Sequence, residues 1–140
     1  MAFVSSQGAE LQAETAPSTF TAIAQLQGFP FPAINTQFEN VTTLDASGNF
    51  MVYNAIMNDT GEISSTGFWD PANSTHDFLM DEAIKATKTA INFKAIANDS
   101  GDATMTFAAF IMGFAVTAEQ NASMKFTLTL RVSGAITYAP

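Results

Sequence analysis

From Ala103 to Ile136 the chain carries two consecutive stretches of strong strand-forming residues, and a pattern this long commits the rest of the sequence to completing a sheet. In the second stretch Met124, Phe126, Leu128, Leu130 and Val132 alternate with Lys125, Thr127, Thr129 and Arg131, the period of two that gives a strand one apolar face. In the first, Met105, Phe107, Ala109 and Ile111 share one face, while Thr106, Ala108, Phe110, Met112 and Phe114 share the other. Both faces of that strand therefore carry apolar side chains, one for the domain's own core and one for a second partner. The polar connection Ala118-Glu119-Gln120-Asn121-Ala122-Ser123 makes the pair a long hairpin. The expectation is a β-domain with a surface meant for assembly.

A chain of 140 residues fits one domain with a substantial core. Without cysteine, disulfides, thiolate metal sites and thiol nucleophiles are excluded, so packing alone holds the fold. Thirteen acidic against five basic residues give a formal charge of −8, and Lys85, Lys88, Lys94, Lys125 and Arg131 are scattered. Affinity for nucleic acid rests mainly on neutralising phosphates, which this balance opposes. The start Met-Ala-Phe-Val-Ser-Ser-Gln lacks a positive n-region and an apolar run of signal length, and no segment approaches a membrane span. The expectation is that the product stays where it is made, and that the Asn-x-Ser/Thr triplets at Asn40, Asn58, Asn73, Asn98 and Asn121 are loop and strand-edge chemistry rather than glycan acceptors.

Residues 1–18 are polar and rich in Ala, Ser and Gln, and are expected to form a flexible arm that orders only on a neighbour. The single β-domain then runs over 19–140. Thr19 to Gln27 reads as a first strand, broken by Gly28-Phe29-Pro30-Phe31-Pro32. Phe38 to Leu44 reads as a second, ended by Asp45-Ala46-Ser47-Gly48-Asn49. Phe50 to Asn58, with Phe50, Met51, Val52, Tyr53, Ile56 and Met57, is too apolar for a solvated loop. It is either a short helical turn in the core or a long loop docking on another subunit. Glu62 to Trp69 gives a third strand. Phe78 to Lys85 gives the one helix, capped by Ser74 or Thr75, with Asp77 near its positive end and Lys85 and Lys88 near its negative end. Thr87 to Ala97 gives a fourth strand, and Asn98-Asp99-Ser100-Gly101-Asp102 a turn into the long hairpin.

Groups able to do chemistry are few. Asp77, Asp81 and Glu82 stand at helical spacing, where exposed acidic residues are the commoner explanation than a metal or acid/base site. His76 has no triad to join and reads as a cap or a surface residue. Asp99-Ser100-Gly101-Asp102 lacks the remaining ligand spacing and terminal glutamate of a calcium loop. Trp69 beside Phe68 reads as a core anchor rather than a stacking platform. No catalytic site, metal site or cofactor is expected.

In order, these segments resemble the major tail tube proteins of long-tailed bacteriophages. The resemblance covers roughly residues 19–137 and rests on the ordered set: an N-terminal arm, a strand ending Val41-Thr42-Thr43-Leu44-Asp45-Ala46-Ser47-Gly48, and a long loop. Asp59-Thr60-Gly61-Glu62-Ile63-Ser64-Ser65-Thr66-Gly67-Phe68-Trp69-Asp70-Pro71 follows, then a helix opening near His76, and a last hairpin ending Thr127-Leu128-Thr129-Leu130-Arg131-Val132-Ser133-Gly134-Ala135-Ile136-Thr137. It implies a mainly β fold, a sandwich or half-barrel of two packed sheets with one flanking helix. It further implies hexameric rings whose inner sheets join into a barrel, stacked as the hollow conduit for DNA in the virion tail. The implied partners are other copies of the chain, the tail tip or initiator, the tape measure and the tail terminator, with DNA passing through without specific binding. Related ring-forming tubes of bacterial secretion machines share the fold. With the chain stopping at Pro140, a plain exterior without an added immunoglobulin-like domain is expected.

On this reading the subunit interface takes Phe110, Met112 and Phe114 of the two-faced strand, and Phe50, Met51, Val52, Tyr53 and Met57 of the 46–58 loop, which with the arm is nominated for stacking. Glu39 and Glu62 are nominated for the lumen, where a negative wall would let DNA slide. Lys125 and Arg131 argue against a uniformly acidic wall if they line it. Deleting residues 1–16 is expected to leave a folded domain that stacks poorly. The rival readings are a monomeric β-sandwich with a pocket around Trp69, Phe68 and the Phe29–Phe38 stretch, and an adhesin or decoration domain.

Overall fold

The computed structural model describes residues 3–45, 47–98 and 101–140. Among them the elements run β1 (Glu10–Ala16), β2 (Thr19–Ala22), β3 (Leu26–Gly28), β4 (Asn35–Asn40), a 3-10 turn (Ser47–Asn49), β5 (Tyr53–Asp59), β6 (Glu62–Phe68), α1 (Ser74–Ile84), β7 (Ile91–Ile96), β8 (Thr104–Thr117) and β9 (Lys125–Ala139). Seven strands make one sheet in the order β2-β1-β7-β8-β9-β6-β3, and β4 with β5 makes a separate two-stranded ribbon. Every pairing is antiparallel.

The large sheet must curl, because its two edge strands are nearly the same piece of chain. In a flat sheet of seven strands the edges would lie roughly 29 Å apart at about 4.8 Å per step. The link Ile23–Gln25 between β2 and β3 spans at most about 14 Å. Ile23 still donates to the Leu11 carbonyl at 2.9 Å, while Gln25 already accepts from Phe68 at 3.0 Å. The sheet therefore closes on itself as a half-barrel, with the crossover stitching β1 to β6.

The core fills the inside of that curl. Phe93, Phe107, Ile111, Phe126, Leu128, Leu130 and Ile63 are buried there, each at an alternate position of its strand as the period-two pattern requires. The Phe93 and Phe107 rings stack at 5.9 Å. The helix lays Leu79 and His76 onto this face, and Asn73 caps it by accepting from the amides of Thr75 and His76. The expected helix is present, but the cap is Asn73 rather than Ser74 or Thr75.

Four further expectations are corrected. Residues 10–16 of the expected arm form β1, with Leu11 and Ala13 in the core and ladders to β2 and β7; only two apolar side chains among Glu10, Gln12, Glu14 and Thr15 are enough, because β7 supplies the apolar surface they meet. The expected first strand, Thr19 to Gln27, is broken at 23–25, where Gln25 takes a φ of 61° to change edges. Phe50 to Asn58 is neither a core helical turn nor a loop but mostly β5, paired with β4, whose span Asn35–Asn40 sits earlier than the expected Phe38 to Leu44. Of the turn Asn98–Asp102, Asp99 and Ser100 lie outside the described residues, as does Ala46 of the 46–58 segment.

Gly67 is where the crossover presses closest. A Cβ there would stand 2.6 Å from the Gln25 carbonyl oxygen and 2.9 Å from the Phe126 ring, both closer than van der Waals contact allows, and neither atom is the free end of a flexible chain. Gly67→Val is expected to cost about 2–3 kcal/mol of folding stability. A urea midpoint equal to that of the unmodified chain would show that the crossover yields instead.

Candidate assembly surfaces

The ribbon stands apart from the core. Every residue of β4 and all but the last of β5 are exposed, and the pair continues past the ladder through Val41, whose amide donates to the Val52 carbonyl at 2.9 Å. Thr42 extends it, its hydroxyl accepting from the Val52 amide at 2.7 Å. Register places Phe38, Asn40, Tyr53 and Ala55 on one face and Glu39 with Asn54 on the other. Toward the tip come Phe50, Met51 and Val52, and Met57 stands near the base; Phe38 is 64%, Phe50 76% and Met57 66% exposed. At the tip Thr43 donates to Asp45 at 2.5 Å. That bond, followed by one from Asp45's own backbone, holds its carboxyl below the ordinary carboxylate range.

Two strands alone are marginally stable, and this pair leaves many large apolar side chains exposed. The five ribbon residues singled out from the sequence thus lie together on one projecting element. Ile56 of β5 and Phe38 of the partner strand β4, both named in the sequence but not assigned to the interface, are likewise exposed; apolar side chains on both strand faces mimic a helical or irregular pattern.

The hairpin residues divide. Phe110 is half-buried on the face away from the core, opposite Arg131, and Met112 is 54% exposed. Phe114 does not share their face. The register slips between Ile111 and Gly113, and one extra residue turns every later side chain over. Phe114 and Val116 consequently pack on the core, with Phe114 stacked 5.2 Å from Phe126.

The same slip leaves an open edge. Val132 and Trp69 donate across the β6–β9 seam, so the even-numbered residues of β9 aim their backbone at β6 and the odd-numbered at β8. On β8 the partners of those odd residues are Phe110, Gly113, Ala115 and Thr117. Phe114 and Val116 therefore aim their amides and carbonyls away from β9, where β7, which begins opposite Ala109, no longer reaches. At the far side of the same layer β3 covers β6 only at Thr66 and Gly67, and the chain beyond it holds Pro30 and Pro32, which have no amide to donate. The layer β8-β9-β6-β3 thus ends in an incompletely paired edge on each side.

Glu39 and Glu62 are not brought together. Glu39 lies on the ribbon, and Glu62 at the start of β6 stands opposite Arg131, which also reaches Asp59 at 3.8 Å. His76 is neither a cap nor on the surface: it is fully buried. Its Nδ1 accepts from the Asp70 amide at 3.0 Å, so Nε2 carries the proton and donates to the Ala24 carbonyl at 2.8 Å, with Phe126 edge-on at 4.9 Å. It pins the crossover to the helix. Trp69 packs against the core as expected. A cleft of about 660 Å³ is lined by residues 4–9, Leu26 to Phe29, Phe31, Ala97 and Asn98; Phe29 and Phe31 of the rival reading's aromatic stretch take part in it, whereas Phe68, Trp69 and Phe38 do not. No helix among the described residues is long and apolar enough to cross a membrane.

A curled β-sheet with one helix on its inner face and a projecting ribbon is the fold of tail tube proteins. The sequence pattern of the phage tail tube protein family matches residues 9–138, and the chain belongs to that family. Its backbone is similar to that of a subunit in the tail of an empty gene transfer agent particle with C6 symmetry, at a TM-score of 0.75 and 16% identity over 94% of this chain and 95% of the other. The SPP1 tail tube subunit gives a TM-score of 0.71 at 10% identity over 97% and 78%, and a chain from the anti-feeding prophage baseplate 0.69 at 11% over 94% and 90%. No curated protein sequence matches the chain.

Proposed function

We propose that six copies close into a ring through the open edges of the β8-β9-β6-β3 layer, and that rings stack through the ribbon into a hollow virion tail tube that conducts DNA. The observation that carries this is the pair of incompletely paired edges at opposite sides of one layer. Unpaired strand edges recruit further strands without limit unless a ring closes them, and a head-to-tail contact closes when its rotation divides the circle. Because β3 is antiparallel to β6 and β8 parallel to it, the β8 edge of one copy meets β3 of the next in antiparallel sense. Stacking then falls to the exposed ribbon and residues 3–8, with tail tip, tape measure and terminator proteins as the partners at the ends and within. The role is structural: the one histidine spends both ring nitrogens on backbone groups and is not available to move protons.

Neighbouring prolines test the edge. Val116→Pro removes an amide aimed outward, and is expected to give a folded monomer that forms no rings in negative-stain images. Ala115→Pro removes an amide aimed at Thr127 and is expected to destabilise the domain itself by about 3 kcal/mol. Rings from Val116→Pro at the concentration that suffices for the unmodified chain would refute the edge contact.

A further inference from the structure

The surface of the β8-β9-β6 layer that faces away from the core differs from the rest of the molecule. Its centre is Thr127 and Thr129 of β9, flanked by Ser64 and Thr66 of β6 and by Ala115 and Thr117 of β8. Its apolar side chains lie at the margins, Phe110 and Met112 on the β8 side and Phe68 on the β6 side. The charges cancel: Arg131 stands between Glu62, its cross-strand partner, and Asp59 at 3.8 Å, and Lys125 lies over the Phe68 ring at 5.9 Å. Two cations and two carboxylates sum to zero, so the formal charge of −8 sits entirely elsewhere, including Asp77, Asp81 and Glu82 of the helix.

We infer that this hydroxyl face lines the channel of the proposed tube and presents double-stranded DNA with a wall of no net charge. The inference rests on the ring reading. Four strands from each of six copies at about 4.8 Å spacing make a cylinder roughly 35–40 Å across between backbones. The second layer of each subunit and its helix add about 10 Å or more on the core side, and six such bodies do not fit inside that cylinder. The face turned away from them points inward. A hydrated hydroxyl wall whose few charges are balanced holds no net charge to condense phosphates or repel them, so passage through it is insensitive to salt, in contrast to the acidic wall expected from overall composition.

The absence of native cysteine makes this testable by thiol labelling. Thr129→Cys and, should that half-buried site disturb folding, the exposed Ser64→Cys are compared with Asp81→Cys on the helix. In assembled tubes a small maleimide is expected to reach the wall cysteine, while a maleimide on a long polyethylene glycol chain reacts with it at least an order of magnitude more slowly than in monomers. Asp81→Cys is expected to react equally with both reagents. Equal labelling of the wall cysteine by the long reagent in intact tubes overturns the wall assignment, whereas absence of tubes or rings in electron micrographs at every concentration overturns the ring reading itself. For the charge, retention of duplex DNA of about 30 base pairs by unmodified tubes is expected to stay flat between about 10 and 200 mM salt, and Ser64→Lys to introduce steep salt-dependent retention. Strong salt dependence in unmodified tubes overturns the neutral wall.

Discussion

A chain lacking residues 1–16 is expected not to fold. The cut removes β1, and with it two fully buried side chains, Leu11 and Ala13, the ladder partners of Lys94, Phe93 and Ala95 in β7, and the whole pairing surface of β2. Burying one leucine alone is worth about 1.5–3 kcal/mol. Adding the two severed ladders and the solvent let onto Phe93 brings the loss to about 5 kcal/mol or more, comparable with the whole stability of many domains. Circular dichroism and amide proton dispersion would read the outcome. A cooperative melt near that of the full chain would show that β1 is dispensable. Removing only residues 1–4 is expected to leave the melt unchanged, because the first backbone anchor beyond them is the Gln7 carbonyl, which accepts from Asn98 at 2.6 Å.

The opposite result is expected on the ribbon. Phe50→Asp combined with Met57→Asp changes two side chains that touch little of their own subunit, so the melting transition is expected to stay within about 0.5 kcal/mol of the original. Tube growth is another matter, since each stacked ring would bury those charges six times over. The critical concentration for tubes is expected to rise roughly a hundredfold, equivalent to about 2.8 kcal/mol per subunit contact. Rings would persist, because their closure uses the sheet edges. Tubes of normal yield and length by light scattering and electron microscopy would move the stacking contact elsewhere.

How much of this the sequence disclosed depended on whether an element has one wet face. β6, β7 and β9 alternate cleanly because the core lies on one side of each, and their central residues were readable. β1 alternates too, but Leu11 and Ala13 between glutamates and glutamines carry too little apolar weight to be told from a polar arm; only β7, far along the chain, gives them something to bury against. The ribbon defeats periodicity altogether, as Phe38, Tyr53 and Ile56 are apolar yet exposed within the subunit. Its composition nevertheless set it apart from an ordinary solvated loop. Phe110 and Met112 were correctly set apart from the core face, but the slip at Ile111–Gly113 that returns Phe114 to the core is one residue of register, and no local residue type announces it.

The crossover at 23–25 has a bearing on when the subunit becomes competent. β1 can pair once β7 is made, but β6 waits for β9, so the stitched barrel cannot close until the last hairpin has left the ribosome. A topology so dominated by pairings distant along the chain folds slowly. The edges of the proposed ring contact are therefore incomplete until β9 is made.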